Sequence, residues 1–448
     1  MTPKTTKTPL SMGNAALRKK NYAEAMNLYQ HALQERPELI KLINFNLKLT
    51  ENRRARPNNN FRSLQGVTNP SSNQRFANRK FFLWRDGNHQ DIKPLEATTE
   101  AEITLKNFGA AFLGPVFANF YSSLRNEILN NSKIQHIFFL SREGYFLELA
   151  FKRLLQNPEE TKIKTSYLIC SRTLLFKLIL AYPDKWESTL EHPYRGRMAD
   201  FFKNRYAFTD AEVKAIKARS RTYREAENRE FVLETNKHLI LAILQEANEI
   251  IISTVKPKLH AYSSYLQAMD FGSTGETHIV DIGFSGTIQK LLHQISQTKL
   301  VGHYFLTTEK AQSQDNLTFN GHIAENIAPG TEPLLDRSLY MESILTAPHG
   351  QTIDIGQEAN QIFFCFGKLT TAQHHFHELR LIIEGAIQYA SSAMKNGAVM
   401  SRAELSNYYG TFVKHRDNFP YTTRKLFDID DSISGLDIIN PIETFMTP

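Results

Sequence analysis

The chain has 448 residues, with 53 lysines and arginines against 46 aspartates and glutamates, a formal net charge of +7 and a sequence pI near 9.1. That length suits two or three domains of about 100–200 residues each, and a hydrophobic share of 41% with 11% aromatics supports a large packed core. The two cysteines, Cys170 and Cys365, sit in the apolar runs Tyr-Leu-Ile-Cys and Phe-Phe-Cys-Phe, which excludes a disulfide framework and a zinc-type site. No apolar stretch approaches the ~18 residues of a membrane span and no leader-like run precedes a cleavage-like site, so a reducing, cytoplasmic compartment is expected. The basic excess suits phosphorylated ligands or an anionic membrane surface. Zinc-finger spacing, RNA-recognition signatures and basic helices with heptads are missing, so nucleic acid is not an expected partner.

Residues 1–50 are expected to form a small helical unit. Gly13, Ala16, Tyr22, Ala25, Tyr29, Ala32 and Pro37 occupy the small and aromatic positions of one tetratricopeptide repeat, and a further helix over 38–50 would cap it. A lone repeat cannot bury its face by stacking, so it should dock on its own chain, a partner, a membrane surface or a second copy. Residues 51–80, with Pro57, Asn58–Asn60, Gly66, Pro70 and seven basic residues, read as a disordered basic linker.

An α/β domain follows over 81–360. A helical stretch over 101–130 should turn or kink at Gly114-Pro115. Residues 134–140 should form a buried strand, 145–156 an amphipathic helix, and 165–170 a second strand. A helical insertion spans about 195–268. The run His278-Ile279-Val280-Asp281 should be a strand entering a small-residue loop and then a helix, and 300–306 a further strand. Alternating strands and helices argue for a parallel sheet. The last segment, 361–448, reads as a mainly helical extension.

Three expected strand-to-helix loops hold candidate ligand residues. After the 278 strand come Asp281, Gly283, Ser285, Gly286 and Thr287: an acid for sugar hydroxyls or a divalent ion, glycines for backbone approach, hydroxyl donors, and a helix N-terminus for an anion. After the 134 strand come Ser141, Arg142, Glu143 and Gly144, with a guanidinium fork for phosphate and a carboxylate for metal. Ser171 and Arg172 follow the 165 strand. All would meet at the carboxyl edge of the sheet. Asp270–Thr277, with Thr274-Gly275-x-Thr277, is a nearby rival loop that could line the same site.

The Asp281 loop resembles the loop of phosphoribosyltransferases that binds phosphoribosyl pyrophosphate (PRPP), an acidic pair, three residues, then Thr-Gly-x-Thr. Here the first acid is replaced by Val280 and the last Thr is displaced to Thr287. Together Phe-Leu-Ser-Arg-Glu-Gly-Tyr, Tyr-Leu-Ile-Cys-Ser-Arg, Val-Asp-Ile-Gly-Phe-Ser-Gly-Thr and Glu342-Ser-Ile-Leu-Thr-Ala-Pro-His349-Gly resemble a bacterial polysaccharide-locus family over roughly 105–355. Its members are often described as haloacid-dehalogenase-type hydrolases, and the region is similar to modules that install ribofuranose in capsules and O-antigens. The resemblance implies a phosphoribosyltransferase-like parallel sheet. It implies transfer of 5-phosphoribose from PRPP to a glycan hydroxyl, with Mg²⁺ held by Glu143 and Asp281. Asp281, Ser285, Gly286 and Thr287 would hold the 5-phosphoribose, Ser141–Gly144 would face pyrophosphate and metal, and Ser171 and Arg172 would assist. Glu342 joins Arg142, Glu143 and Asp281 as a catalytic candidate, while His349 would be acceptor-side or structural. The hydrolase class lacks its Asp-x-Asp nucleophile, since Asp86 and Asp91 do not fit, so a phosphatase would be a separate chain. A non-catalytic scaffold built on the repeat is the remaining alternative.

Overall fold

Apolar runs without alternation suit strands buried on both faces, which is the condition of a parallel sheet. The computed structural model describes residues 21–35, 79–84, 93–155, 160, 162–436 and 438–446, with isolated positions 9, 12 and 16. Contacts divide the chain into two units, Met1–Gln65 and Gly66–Pro448. In the first unit, helix α1 (Tyr22–Glu35) buries Ala25, Tyr29 and Ala32 along one stripe, and Ala16 is also buried. Gly13, Pro37, the Tyr22 side chain, the helix expected over 38–50 and linker residues 51–78 lie outside the described residues, as do Asp86 and Asp91.

The second unit opens with β1 (Phe81–Leu83), then α2 (Glu100–Phe112) and α3 (Gly114–Asn130). Thr99 and Glu102 form a capping box at the start of α2, and the chain breaks at Gly114-Pro115 as the sequence predicts. β2 (His136–Leu140), α4 (Gly144–Leu154), β3 (Lys164–Leu168) and α5 (Arg172–Ile179) follow. The insertion comprises β4 (Arg195–Arg197), α6 (Met198–Tyr206), α7 (Asp210–Arg219), α8 (Arg221–Ala226), β5 (Glu230–Val232), α9 (Leu233–Glu246) and α10 (Asn248–Ala268). It is helical apart from the β4–β5 ladder, centred on Gly196 opposite Phe231. Helices α9 and α10 meet at 82°, and no single described helix is long and apolar enough to cross a membrane.

Next come β6 (Glu276–Asp281), α11 (Thr287–Ser296), β7 (Lys299–Thr308) and β8 (Leu317–Ile327). Five parallel strands pair in the order β3-β2-β6-β7-β8. β8 escapes the sequence pattern because Asn320, Gly321, Glu325 and Asn326 interrupt its apolar residues, and it returns beside β7 through residues 309–316 without a helix. Each face of the sheet has its own core. Phe138, Leu140, Leu168 and Ile279 pack with α5, α9, α10 and α11, while Ile137, Phe139, Val280 and Phe305 pack with α2, α3 and α4.

The chain then forms α12 (Pro333–Asp336), α13 (Ser338–Ile344), β9 (Thr352–Glu358) and β10 (Gln361–Phe366). β1, β10 and β9 make a separate antiparallel sheet, so the β9–β10 hairpin crosses the division placed at 360. Short α14 (Thr371–His374), long α15 (Phe376–Lys395) and α16 (Arg402–Phe412) lead to α17 (Tyr421–Arg424), a β11 (Ile429–Asp430) and β12 (Ile438–Ile439) ladder, and α18 (Pro441–Phe445). A Cβ at Gly109 would strike the Ile382 carbonyl and one at Gly385 the Lys106 carbonyl, so paired glycines let α2 and α15 touch backbone to backbone.

Two polar networks lock these layers. Asp354 on β9 accepts from Lys258 of α10 at 2.8 and 2.9 Å, from Arg79 at 2.8 Å and from Lys177 of α5 at 3.4 Å. These cations hold its carboxyl down at about 2 despite burial. Arg79, expected at the end of a free tether, is thereby anchored. Removing the anion strands buried Lys177 beside two other cations. Asp354→Ala should therefore lower the unfolding free energy by about 3–5 kcal/mol in urea titrations, whereas a loss under about 1 kcal/mol would contradict this role.

The second network is a ladder of imidazoles across β6, β7 and β8. His278 Nδ1 lies 3.1 Å from His303 Nε2, His303 Nδ1 lies 3.0 Å from His322 Nε2, and His322 Nδ1 lies 3.0 Å from Ser123 Oγ on α3. One proton per ring satisfies every link, so the ladder requires neutral histidines. Burial, the largest cause, lowers all three, His322 to about 4, while Glu276 opposes the shift at His278. The unfolded chain therefore takes up protons first, and stability is lost as pH falls from 6.5 towards about 4. In urea titrations over that range, His303→Gln should flatten the pH slope by about 1.4 kcal/mol per pH unit. An unchanged slope would exclude the neutral ladder.

Candidate active site at the sheet switch point

β2 feeds α4 on one face of the sheet, and its neighbour β6 feeds α11 on the other. Counted within the sheet the order is 2-1-3-4-5, which reverses between the first and third strands. The loops leaving those two strands lead to helices on opposite faces, and in open α/β sheets such a reversal makes a ligand crevice at the carboxyl ends of the strands. The crevice walls are residues 141–144 and 282–286. Ser141–Arg142 and Gly283–Phe284 are both joined by cis peptides.

In the first wall, Ser141 is a rivet rather than a free donor. Its hydroxyl donates to the Cys170 carbonyl at 2.5 Å and accepts from Cys170 N at 3.0 Å, tying the ends of β2 and β3. Gly144 is required by packing, since a Cβ there would lie 2.6 Å from the Phe139 carbonyl carbon. Arg142 and Glu143 are half-buried, and the Glu143 carboxylate accepts from its neighbour's backbone N–H at 3.0 Å. Ser171 likewise caps α5 through Leu174 N at 3.0 Å and donates to the Thr352 carbonyl. Arg172 opens that helix. Among the described residues neither Arg142 nor Arg172 forms a carboxylate salt bridge.

In the second wall, Asp281 ends β6 and accepts from Ile282 N at 2.8 Å. Ser285 Oγ lies 3.0 Å from Thr308 Oγ1, and Thr308 N donates to the Phe284 carbonyl at 3.0 Å, so the loop is pinned to the end of β7. Gly286 adopts φ +65°, and a Cβ there would enter the Phe319 ring. No side chain caps α11, which begins at Thr287 directly after this loop.

Electrostatics join the walls to a third element. Burial, then Glu143 and Glu342, raise the Asp281 carboxyl well above the carboxylate range, with Arg172 opposing. Burial and Glu143 lift Glu342, on α13, to about 7 against Arg172 and Arg142. Glu143, Asp281 and Glu342 therefore share one field with two guanidinium groups that form no carboxylate salt bridge among the described residues. His349 Nε2 is 2.8 Å from the hydroxyl of Tyr167, itself in the field of Glu143, and His349 Nδ1 is 2.8 Å from the Gly350 carbonyl.

The rival Asp270 loop is at the opposite, amino-terminal edge of the sheet. Asp270 pairs with Lys164 at the start of β3, at 2.9 Å, and so does not line the crevice. Sequence reasoning missed His192 and Asp431, both in the field of Arg172, and Lys310, which acts on His192. Their stretches carry no motif, and only the tertiary fold brings them in. No protein-family model matches the chain, and no curated protein matches it at a significant level.

The shared field makes a direct test. Glu143 is the first neighbouring charge raising Glu342, so Glu143→Gln should move the Glu342 carboxyl down from about 7, read by ¹³C carboxyl titration. An unmoved or higher value would separate the two groups.

Proposed function

We propose that the chain is a glycosyltransferase of the phosphoribosyl type, moving 5-phosphoribose from PRPP to a hydroxyl of a surface polysaccharide such as a capsule or O-antigen. The observation that carries this reading is the switch-point crevice, which joins Asp281, the uncapped start of α11, and the guanidinium groups of Arg142 and Arg172. The α11 N-terminus with Ser285, Gly286 and Thr287 suits the 5-phosphate, and Asp281 suits the ribose hydroxyls. The strand order and the Ser-Arg-Glu-Gly loop support the phosphoribosyltransferase-like form of this sheet.

In the reaction the bond from C1 to the pyrophosphate oxygen breaks with its electron pair leaving on pyrophosphate. The acceptor oxygen forms the new bond to C1 and loses its proton. Arg142 and Arg172 stabilise the charge growing on the leaving group. Glu342 is the best-suited base, since its carboxyl near 7 is matched to a proton taken at neutral pH and it remains partly open to solvent. Asp281 is more deeply buried and accepts a backbone hydrogen bond. Among the described residues no group of three or more His, Cys, Asp or Glu forms a cage for metal. Mg²⁺ commonly takes only one or two carboxylates together with substrate phosphates and water, so Glu143 and Asp281, whose carboxyl is raised by burial and by Glu143, fit it. When bound it would neutralise the phosphate charge. Removal of the 5-phosphate falls to a separate phosphatase. The buried small-residue stripe of α1 supports a tetratricopeptide-like docking unit, with an assembly partner or the inner-membrane surface as its target.

The test is ³¹P NMR of the chain with PRPP, Mg²⁺ and capsular oligosaccharide acceptors. Acceptor-dependent pyrophosphate release is expected, and release of inorganic phosphate instead would favour a hydrolase. Arg142→Lys keeps the charge and loses the fork, so turnover should fall by roughly 10–100-fold, more than PRPP affinity falls. Equal turnover would remove Arg142 from the chemistry.

A further inference from the structure

Arg172 forms no carboxylate salt bridge among the described residues, and its guanidinium contacts an imidazole. Arg172 Nη1 lies 3.4 Å from His192 Nδ1. The other nitrogen of the ring, Nε2, lies 3.0 Å from Ser434 Oγ, and that hydroxyl donates to Asp431 Oδ1 at 2.8 Å. An ionised Asp431 only accepts, so the Ser434 proton points to it. Ser434 Oγ must then accept from His192 Nε2–H, which leaves Nδ1 bare to accept from Arg172. One assignment of protons satisfies all three links.

The relay is held at both ends. Fully buried Arg205 on α6 donates to the backbone carbonyls of His192 at 2.8 Å, Pro193 at 3.0 Å and Thr189 at 3.3 Å, which fixes the loop carrying the imidazole. On the tail, Asp430 Oδ1 accepts from Ser432 N at 3.1 Å, and a Cβ at Gly435, whose φ is +87°, would strike the Arg195 carbonyl of β4. The C-terminal stretch is thus clasped against the insertion, with Ser434 on the imidazole that contacts Arg172. The charged groups acting on His192 are Arg172 on α5, Arg205 on α6 and Lys310 after β7; Asp431 is acted on by Arg172, Arg205 and Asp430.

We infer that the C-terminal segment Asp431–Gly435 is a working part of the anion site, setting the position of Arg172 through Ser434 and His192. The inference rests on the reading of Arg172 as a pyrophosphate-binding group. His192, Ser434 and Asp431 are positioning residues: they hold the guanidinium face open to the crevice and touch no substrate. The segment that the sequence presents as an appendage therefore completes the site. The guanidinium is fixed by a neutral acceptor, which leaves its positive charge unspent for the ligand.

The experiment uses the full chain and two readouts. The Arg172 side-chain N–H resonance in ¹⁵N spectra, recorded without ligand, should be sharp in the wild type and broadened in Ser434→Ala and His192→Phe. Calorimetry with inorganic pyrophosphate and Mg²⁺ should show roughly tenfold weaker binding in each variant. His192→Asn, which keeps an acceptor and a donor, should recover part of the loss. In an Arg172→Ala background, His192→Phe should cost nothing further, because its effect passes through the missing group. An unchanged Arg172 resonance in Ser434→Ala, or additive losses in the double variant, overturns the relay. Should His192→Phe fail to fold, the half-exposed Ser434→Ala decides alone. If the resonance responds while pyrophosphate does not bind even to the wild type, the relay stands and the substrate reading falls.

Discussion

Three carboxyl groups from three separate stretches, Glu143 after β2, Asp281 at the end of β6 and Glu342 on α13, act on one another where burial raises Asp281 and Glu342. Like charges so placed do not all ionise unless something positive is supplied. Arg142 and Arg172 supply part of it, and neither is consumed by a salt bridge among the described residues. Under the proposed function, a magnesium-bound pyrophosphate ester would bring both the anionic groups for the arginines and a cation for the carboxylates.

The scaffold explains how these groups are held. Ser141 and Ser171 spend their hydroxyls on neighbouring backbone, joining β2 to β3 and α5 to β9, and so fix the arginines that follow them. The Ser285 hydroxyl ties the Asp281 loop to the Thr308 hydroxyl at the end of β7. Behind them the Asp354 network joins α5, α10 and β9 through buried charges whose partners leave little freedom to shift. The ligand-facing groups are therefore mounted on elements that are themselves tied, which is what precise positioning of an anion requires.

Much of the sheet was legible because parallel strands are apolar on both faces and end in loops of small and polar residues. The runs at 136–140 and 276–281, the break at Gly114-Pro115, and the helical insertion all declare themselves in this way. β8 was not, because asparagines and glycine interrupt it, and neither was the β1–β10–β9 sheet, whose strands lie far apart in the chain. Within the site, Arg142, Glu143, Arg172 and Asp281 were readable as candidates from strand–loop–helix order. The roles of Ser141, Gly144 and Ser171 were not, because a hydroxyl suited to phosphate is equally suited to a carbonyl, and a glycine suited to a ligand is equally suited to a neighbouring backbone. The rival Thr-Gly-x-Thr match failed for a topological reason: it precedes its strand instead of following it, and so lies at the wrong edge. The tail at 429–439 carried no signal because its contribution depends on a loop more than 200 residues away.

Titration calorimetry of PRPP with Mg²⁺ against wild type and Asp281→Asn reaches the central claim most directly. The substitution preserves size and removes the ionisable carboxyl at the end of β6, so the folded variant should lose most of its PRPP affinity while keeping its melting temperature. Equal affinity in the two proteins would contradict the account, because the crevice would then hold no part of the ribose.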